Sequence, residues 1–212
     1  MSEARAALEL HFHDLNQQRE AAELGMWIFL MTELLLFGGL FAAYTIYRIS
    51  YPQAFVAGSH ELSTPIGTIN TAVLLISSFG VALAVRGAKI DGRKRLIGGL
   101  ALAWILGVVF LVLKGYEYYD HYQHHQVPGL NWAWNGPRPG EAQMFFFLYF
   151  AMTGVHAIHL IVGISIITGL LIQSLRRKYS PEYHTPVEVG GLYWHFIDVV
   201  WIFLYPMLYL IV

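Results

Sequence analysis

Residues 144–175 read MFFFLYFAMTGVHAIHLIVGISIITGLLIQSL, 32 positions without one Asp, Glu, Lys or Arg. About 20 apolar residues carry a helix across a hydrocarbon core roughly 30 Å thick, so this run is long enough to span a bilayer with tilt to spare. Four further runs pass the same test, at about residues 24–47, 66–85, 96–113 and 191–212. The expected fold is an all-α integral membrane protein with five transmembrane helices. It comprises a leader over residues 1–23 and a single transmembrane domain over residues 24–212.

Composition supports that class. The 212 residues are 56% hydrophobic and 13% charged, against roughly a quarter charged in an ordinary soluble domain. A net charge of −1 leaves no global field for nucleic acid. There is no cysteine, which removes disulfides, thiolate nucleophiles, C-x-x-C-H haem attachment, thiolate-held iron–sulfur clusters and cysteine-ligated copper.

Residues 1–23 carry Glu3, Arg5, Glu9, Asp14, Arg19, Glu20 and Glu23 and no apolar core. They read as a short cytoplasmic leader with an interfacial helix around residues 6–15 rather than a secretory signal. Ten of the 13 Lys and Arg residues fall on one side of the spans: Arg5, Arg19, Arg86, Lys89, Arg93, Lys94, Arg95, Arg176, Arg177 and Lys178. The positive-inside bias then places the N-terminus in the cytoplasm and the C-terminus in the periplasm. An outer loop is expected at about residues 114–143, where Tyr116, Tyr118, Tyr119, Tyr122, Trp132 and Trp134 suit a headgroup layer.

Ionisable groups inside the membrane cost at least about 2.5 kcal/mol each on insertion scales, so each asks for a partner or a role. Glu33 lies nine residues beyond Leu24, close to mid-membrane at 1.5 Å per residue. It reads either as a protonatable group that supports proton movement or as a carboxyl bonded across a helix interface. Thr153, His156 and His159 recur every third residue along one helix, as haem or metal ligands or as an interhelical hydrogen-bonded seam. His159 lies 17 residues from Arg176, about 25 Å, whereas His195 lies seven residues from Glu188, about 10 Å. Those depths differ too much for one haem iron to join them, which favours the seam.

Glu188, His195 and Asp198 stand in EVGGLYWHFIDVVWIF, and His195 and Asp198 are spaced i, i+3 to pair on one face. Trp194 and Trp201, seven apart, share a face. Asp120, His121, His124 and His125 form a last group, where His121 and His125 would have metal-ligand spacing on a helix; solvated loop histidines are the plainer reading. Asn70, Thr71, Ser77 and Ser78 suit close helix packing.

Three of these segments carry a resemblance. Residues 193–201, YWHFIDVVW, are similar to the YWHFVDVVW run of subunit III of haem–copper terminal oxidases, and residues 153–159, TGVHAIH, resemble its TGxHGxH. Glu33 stands at the place of that family's buried carboxylate. Asn70-Thr71 with Ser77-Ser78, Glu117 and Glu188 also match in order and spacing. The likeness runs from about residue 23 to the C-terminus, in the short five-helix bacterial form. Lys114 departs from it, standing where many members have Gln.

The resemblance implies a non-catalytic subunit of a cytochrome c or quinol oxidase that reduces O2 to water and pumps protons. Haems and copper would reside in subunits I and II, and this chain would bind no cofactor beyond phospholipid. Its partners would be subunits I and II, membrane lipids and further respiratory subunits in a bacterial plasma membrane. Glu33 would support proton uptake. Thr153, His156, His159, Glu188, Trp194, His195, Asp198 and Trp201 would form a polar and aromatic seam ordering helices and a lipid cleft, and Arg176 and Arg177 would meet lipid headgroups. An accessory subunit of a nitric oxide reductase is the nearest alternative. A haem-b anchor of a dehydrogenase would need paired histidines at matching depth, and a small transporter would show inverted repeats; neither is found.

Overall fold

A computed structural model describes residues 12–134, 136 and 138–211. Its helices are α1 Leu15–Ser50, α2 Pro52–His60, α3 Thr64–Lys89, α4 Arg93–Gln123, α5 Pro139–Leu175 and α6 Thr185–Tyr209. Five of them, all but α2, are long and apolar enough to cross a membrane. Among the described residues there is no strand beyond an isolated bridge between Ser180 and Tyr183. The interfacial helix expected around residues 6–15 lies, up to residue 11, outside the described residues.

The first helix starts earlier than the apolar run alone indicates. Asp14 caps it by accepting the Gln17 N–H at 2.7 Å, and Arg19 pairs with Glu23 one turn on at 2.7 Å. Residues 15–23, read as leader, therefore extend the first span. The short α2 opens on Pro52, whose missing N–H costs nothing at a helix start.

Helices α3 and α4 form a tight antiparallel hairpin through a turn in which Asp91 takes a left-handed φ of 54°. Small residues let their backbones meet: a Cβ on Gly99 would lie 2.3 Å from the Gly80 carbonyl oxygen. Helix α6 runs through the middle, burying Trp194, Ile197, Trp201 and Leu204. Its last turn leaves carbonyls that no helical N–H can reach. Tyr44 of α1 donates to the Met207 carbonyl, and Ser59 of α2 to the Leu208 carbonyl at 2.7 Å.

Helix α4 also runs further than expected, to Gln123, so the connection to α5 covers residues 124–138 instead of about 114–143. The added turns are held by packing against other helices. Lys114, Glu117 and His121 lie on one face of the added turns and are buried, while Tyr116, Tyr119 and Tyr122 are exposed on the other. Trp132 and Trp134 stack at 5.9 Å and fold back on Phe146. The bundle thus has a loop end, here, and a basic end, where Lys89, Arg93 and Arg177 lie.

Candidate functional site: the intramembrane polar groups

Glu33 on α1 meets His159 on α5: Nε2 lies 2.8 Å from Oε2. The other ring nitrogen, Nδ1, lies 2.8 Å from the Val155 carbonyl oxygen. A carbonyl only accepts, so Nδ1 carries a hydrogen. One more proton must then sit between Nε2 and the carboxyl, either on the acid or on the imidazolium. In both cases the pair is neutral as a whole, which suits a site where an unpaired charge would be costly. Phe37 and the His159 ring lie 5.3 Å apart beside it. The two depths agree: Glu33 is 14 residues past Arg19 and His159 is 17 before Arg176, about 21 and 25 Å from the basic end.

The seam on α6 forms against α3. Trp194 Nε1 donates to Ser77 Oγ at 3.0 Å, and Trp201 Nε1 to Thr71 Oγ1 at 3.0 Å. Both indoles are fully buried. The expected His195–Asp198 pair does not form. His195 Nδ1 bonds instead to Ser78 Oγ at 2.7 Å, and Asp198 lies buried beside the same Ser78 hydroxyl. Residues three apart share a face, yet a short hydroxyl on the facing helix is nearer to the ring than the next turn's carboxyl.

Thr153 donates its one hydroxyl hydrogen to the Tyr149 carbonyl at 2.6 Å and accepts from the Tyr118 hydroxyl at 2.6 Å. His156 sits between Phe110 and Trp201, with ring centroids 5.5 and 5.1 Å away.

Glu188 lies apart from this seam. It joins the basic end, 2.6 Å from Lys89 Nζ, 3.5 Å from Arg19 Nη2 and 3.6 Å from His184 Nε2. It therefore ties the starts of α1 and α6 to the end of α3. Arg176 and Arg177 are exposed where α5 ends. Arg177, with a φ of 58°, borders a polar pocket with Arg93, Asp91 and Tyr179. Burial pushes the Tyr179 hydroxyl up to about 12, and it donates to Gln173 Oε1 at 3.1 Å.

Sequence reasoning missed one cluster. Lys114 Nζ donates to Glu117 Oε2 and to the Tyr149 hydroxyl at 3.0 Å each, and to the Tyr209 hydroxyl at 2.5 Å. Tyr209 in turn donates to Glu117 Oε1 at 2.6 Å. Three helices close around one ammonium, which also faces the rings of Tyr149 at 4.7 Å and Trp201 at 5.3 Å. The signal available was the i, i+3 spacing of Lys114 and Glu117 directly after an apolar run.

The loop histidines diverge. His121 is buried and bonded to Gln126 at 2.6 Å, His124 is exposed against the Asp120 carbonyl at 2.8 Å, and His125 takes a left-handed φ of 57°. Among the described residues no three His, Cys, Asp or Glu side chains converge as a metal site.

Fold and geometry thus define a polytopic helical membrane protein whose intramembrane polar groups bind mostly to neighbouring helices. The family model described as cytochrome c oxidase subunit III matches residues 7–124 and 141–211. The cytochrome c oxidase subunit 3 of Thermostichus vulcanus is 34% identical over 190 residues, covering 89% of this chain and 86% of that protein. The quinol oxidase subunit 3 of Bacillus subtilis (strain 168) is 32% identical over 187 residues, covering 88% and 85%. The cytochrome c oxidase subunit 3 of Sus scrofa is 27% identical over 205 residues, covering 93% and 72%. The chain belongs to the cytochrome c oxidase subunit III family.

Proposed function

We propose that this chain is the non-catalytic subunit III of a respiratory haem–copper oxidase in a bacterial plasma membrane. The oxidase would reduce O2 to water and pump protons, with haems and copper in partner subunits I and II. The observation that carries this reading is the family match over both halves of the chain. The absence of cysteine from the sequence agrees with a two-copper centre held elsewhere. The gathering of Lys89, Arg93 and Arg177 at one end supports a cytoplasmic N-terminus and a periplasmic C-terminus.

Glu33, shared with His159 at the edge of the bundle, serves proton uptake by keeping a protonatable group at a fixed depth. The seam of Thr153, His156, Trp194, His195, Asp198 and Trp201 holds α3, α5 and α6 in register. An apolar groove of about 280 Å³ between α1 and α6, lined by Trp27, Leu30, Leu34 and Phe196, takes a phospholipid acyl chain. Arg176 and Arg177 take an anionic headgroup.

Capture of the tagged chain from membranes in mild detergent, with an optical spectrum and mass spectrometry, tests this. Oxidase subunits I and II with their haem bands are the expected companions. Nitric oxide reductase subunits, a haem spectrum from this chain alone, or a colourless lone oligomer would overturn it.

A further inference from the structure

In the loop-end half of the bundle, three buried side chains on three helices have hydrogen-bonding atoms that meet no partner. They are both amide atoms of Asn70 on α3, both ring nitrogens of His156 on α5, and Nε2 of His121 on α4. All three residues are at most 2% exposed. Buried polar groups are almost always satisfied, by protein or by ordered water.

Asn70 and His156 lie at one level of the bundle, and His121 lies 11 residues beyond that level along α4, about 16 Å nearer the loop. The His156 ring lies between Phe110 and Trp201, and Lys114 Nζ is 5.3 Å from the same Trp201 ring. Asn70 reaches this level by helix register. Ser77 Oγ donates to the Ala103 carbonyl at 3.4 Å across the antiparallel α3–α4 pair. Two turns back along α3 and two turns on along α4 bring Asn70 opposite Phe110. The adjacent Thr71 accepts from Trp201 Nε1. The His121 ring lies 5.4 Å from that of Tyr149, whose hydroxyl binds Lys114.

Donor arithmetic decides what fits. The three Lys114 hydrogens go to Glu117, Tyr149 and Tyr209, and the Tyr209 hydrogen goes to Glu117. The Tyr149 hydroxyl accepts from Lys114 and turns its own hydrogen to the Tyr209 oxygen, so it is satisfied within the cluster. His121 Nδ1 donates to the Gln126 oxygen, so in the neutral ring Nε2 accepts. Neutral His156 has one hydrogen and one lone pair, and Asn70 has both kinds. The unmet capacity is a mixture of donors and acceptors beside a Lys–Glu pair that has no net charge to hold an ion. Water has that mixture and that neutrality.

We propose that the loop-end half of the bundle contains a buried water site between Asn70 and His156, beside the Lys114–Glu117 pair. It exchanges with solvent toward the loop, past His121, Gln126 and the exposed Glu61, where Gln126 Nε2 donates to Glu61 Oε2 at 3.0 Å.

A cryo-electron-microscopy map of the assembled complex that resolves waters tests the site. Density is expected about 2.7–3.2 Å from a His156 nitrogen and from an Asn70 amide atom. Direct pairing of those atoms with protein groups, or no density, overturns it. In solution, radiolytic hydroxyl labelling should modify Trp201 several-fold faster than Phe55 after allowance for ring reactivity, although both are fully buried. The excess should fall in His156→Phe, or in Asn70→Leu if His156→Phe fails to assemble. Equally slow labelling of Trp201 and Phe55 in the unaltered complex, or an excess unchanged by either variant, overturns it.

Discussion

Helix α6 buries 56% of its most apolar stretch and helix α1 only 11%. Both are helices of mostly apolar residues, yet they are held by different means. Helix α6 is surrounded, and its indoles bond to α3 hydroxyls inside the packing. Helix α1 lies at the rim, with Leu24, Ile28, Leu35 and Ile49 exposed. Besides the packing of Leu30, Phe37 and Tyr44, three polar clasps fix it to the rest: Arg19 to Glu188, Glu33 to His159, and Tyr44 to the Met207 carbonyl. These fall 14 and 11 residues apart, so one clasp lies near each end and one near the middle. Between helices in lipid there is no hydrophobic drive to associate, because acyl chains are as apolar as leucine. A rim helix must therefore be registered by hydrogen bonds, and a central one by shape as well.

From that contrast, the largest losses are expected on the surrounded side. Lys114→Met strands Glu117 in the core and should cost about 3–5 kcal/mol. Lys114→Met with Glu117→Leu should recover most of it, as read by thermal unfolding of the purified complex. Gly99→Ala should cost about 1–3 kcal/mol, because its Cβ meets the Gly80 carbonyl oxygen and neither backbone can yield. On the rim, Gly38→Ala should be neutral or slightly stabilising, since nothing lies within 4 Å of its added carbon.

The clasps of α1 should rank by their surroundings. Glu33→Leu removes a bond with ionic character and should cost about 1.5–3 kcal/mol. Glu33→Gln keeps a hydrogen bond to His159 and should leave assembly intact, yet slow proton uptake or shorten lifetime in turnover. Unchanged pumping and unchanged inactivation in the assembled Glu33→Gln complex would sink the proton role. Tyr44→Phe should cost about 1 kcal/mol. Arg19→Ala, at the partly exposed end, should cost under about 1 kcal/mol and less still at high salt.

The five spans were legible because length and apolarity alone decide them, and residues 144–175 contain nothing that competes. Both ends that moved did so for reasons absent from hydropathy. Residues 15–23 look like a polar leader but hold a cap and an i, i+4 pair. Residues 114–123 look like the start of a loop because Lys114 and Glu117 are charged. What buries them is Tyr149 and Tyr209, 35 and 95 positions away. Glu33 and His159 were each legible as intramembrane polar groups, and their similar depths were a usable sign of pairing. The His195–Asp198 pair failed because spacing along one helix says nothing of Ser78 on another. Glu188 was read with its sequence neighbours although its charge belongs with Lys89 and Arg19.

The supporting role is tested most directly by removing this chain from the purified oxidase with detergent. Haem content and the reduced-minus-oxidised spectrum should stay unchanged, while activity decays faster during turnover and recovers when the chain is added back. Loss of a haem band together with the chain would contradict a subunit that carries no redox centre.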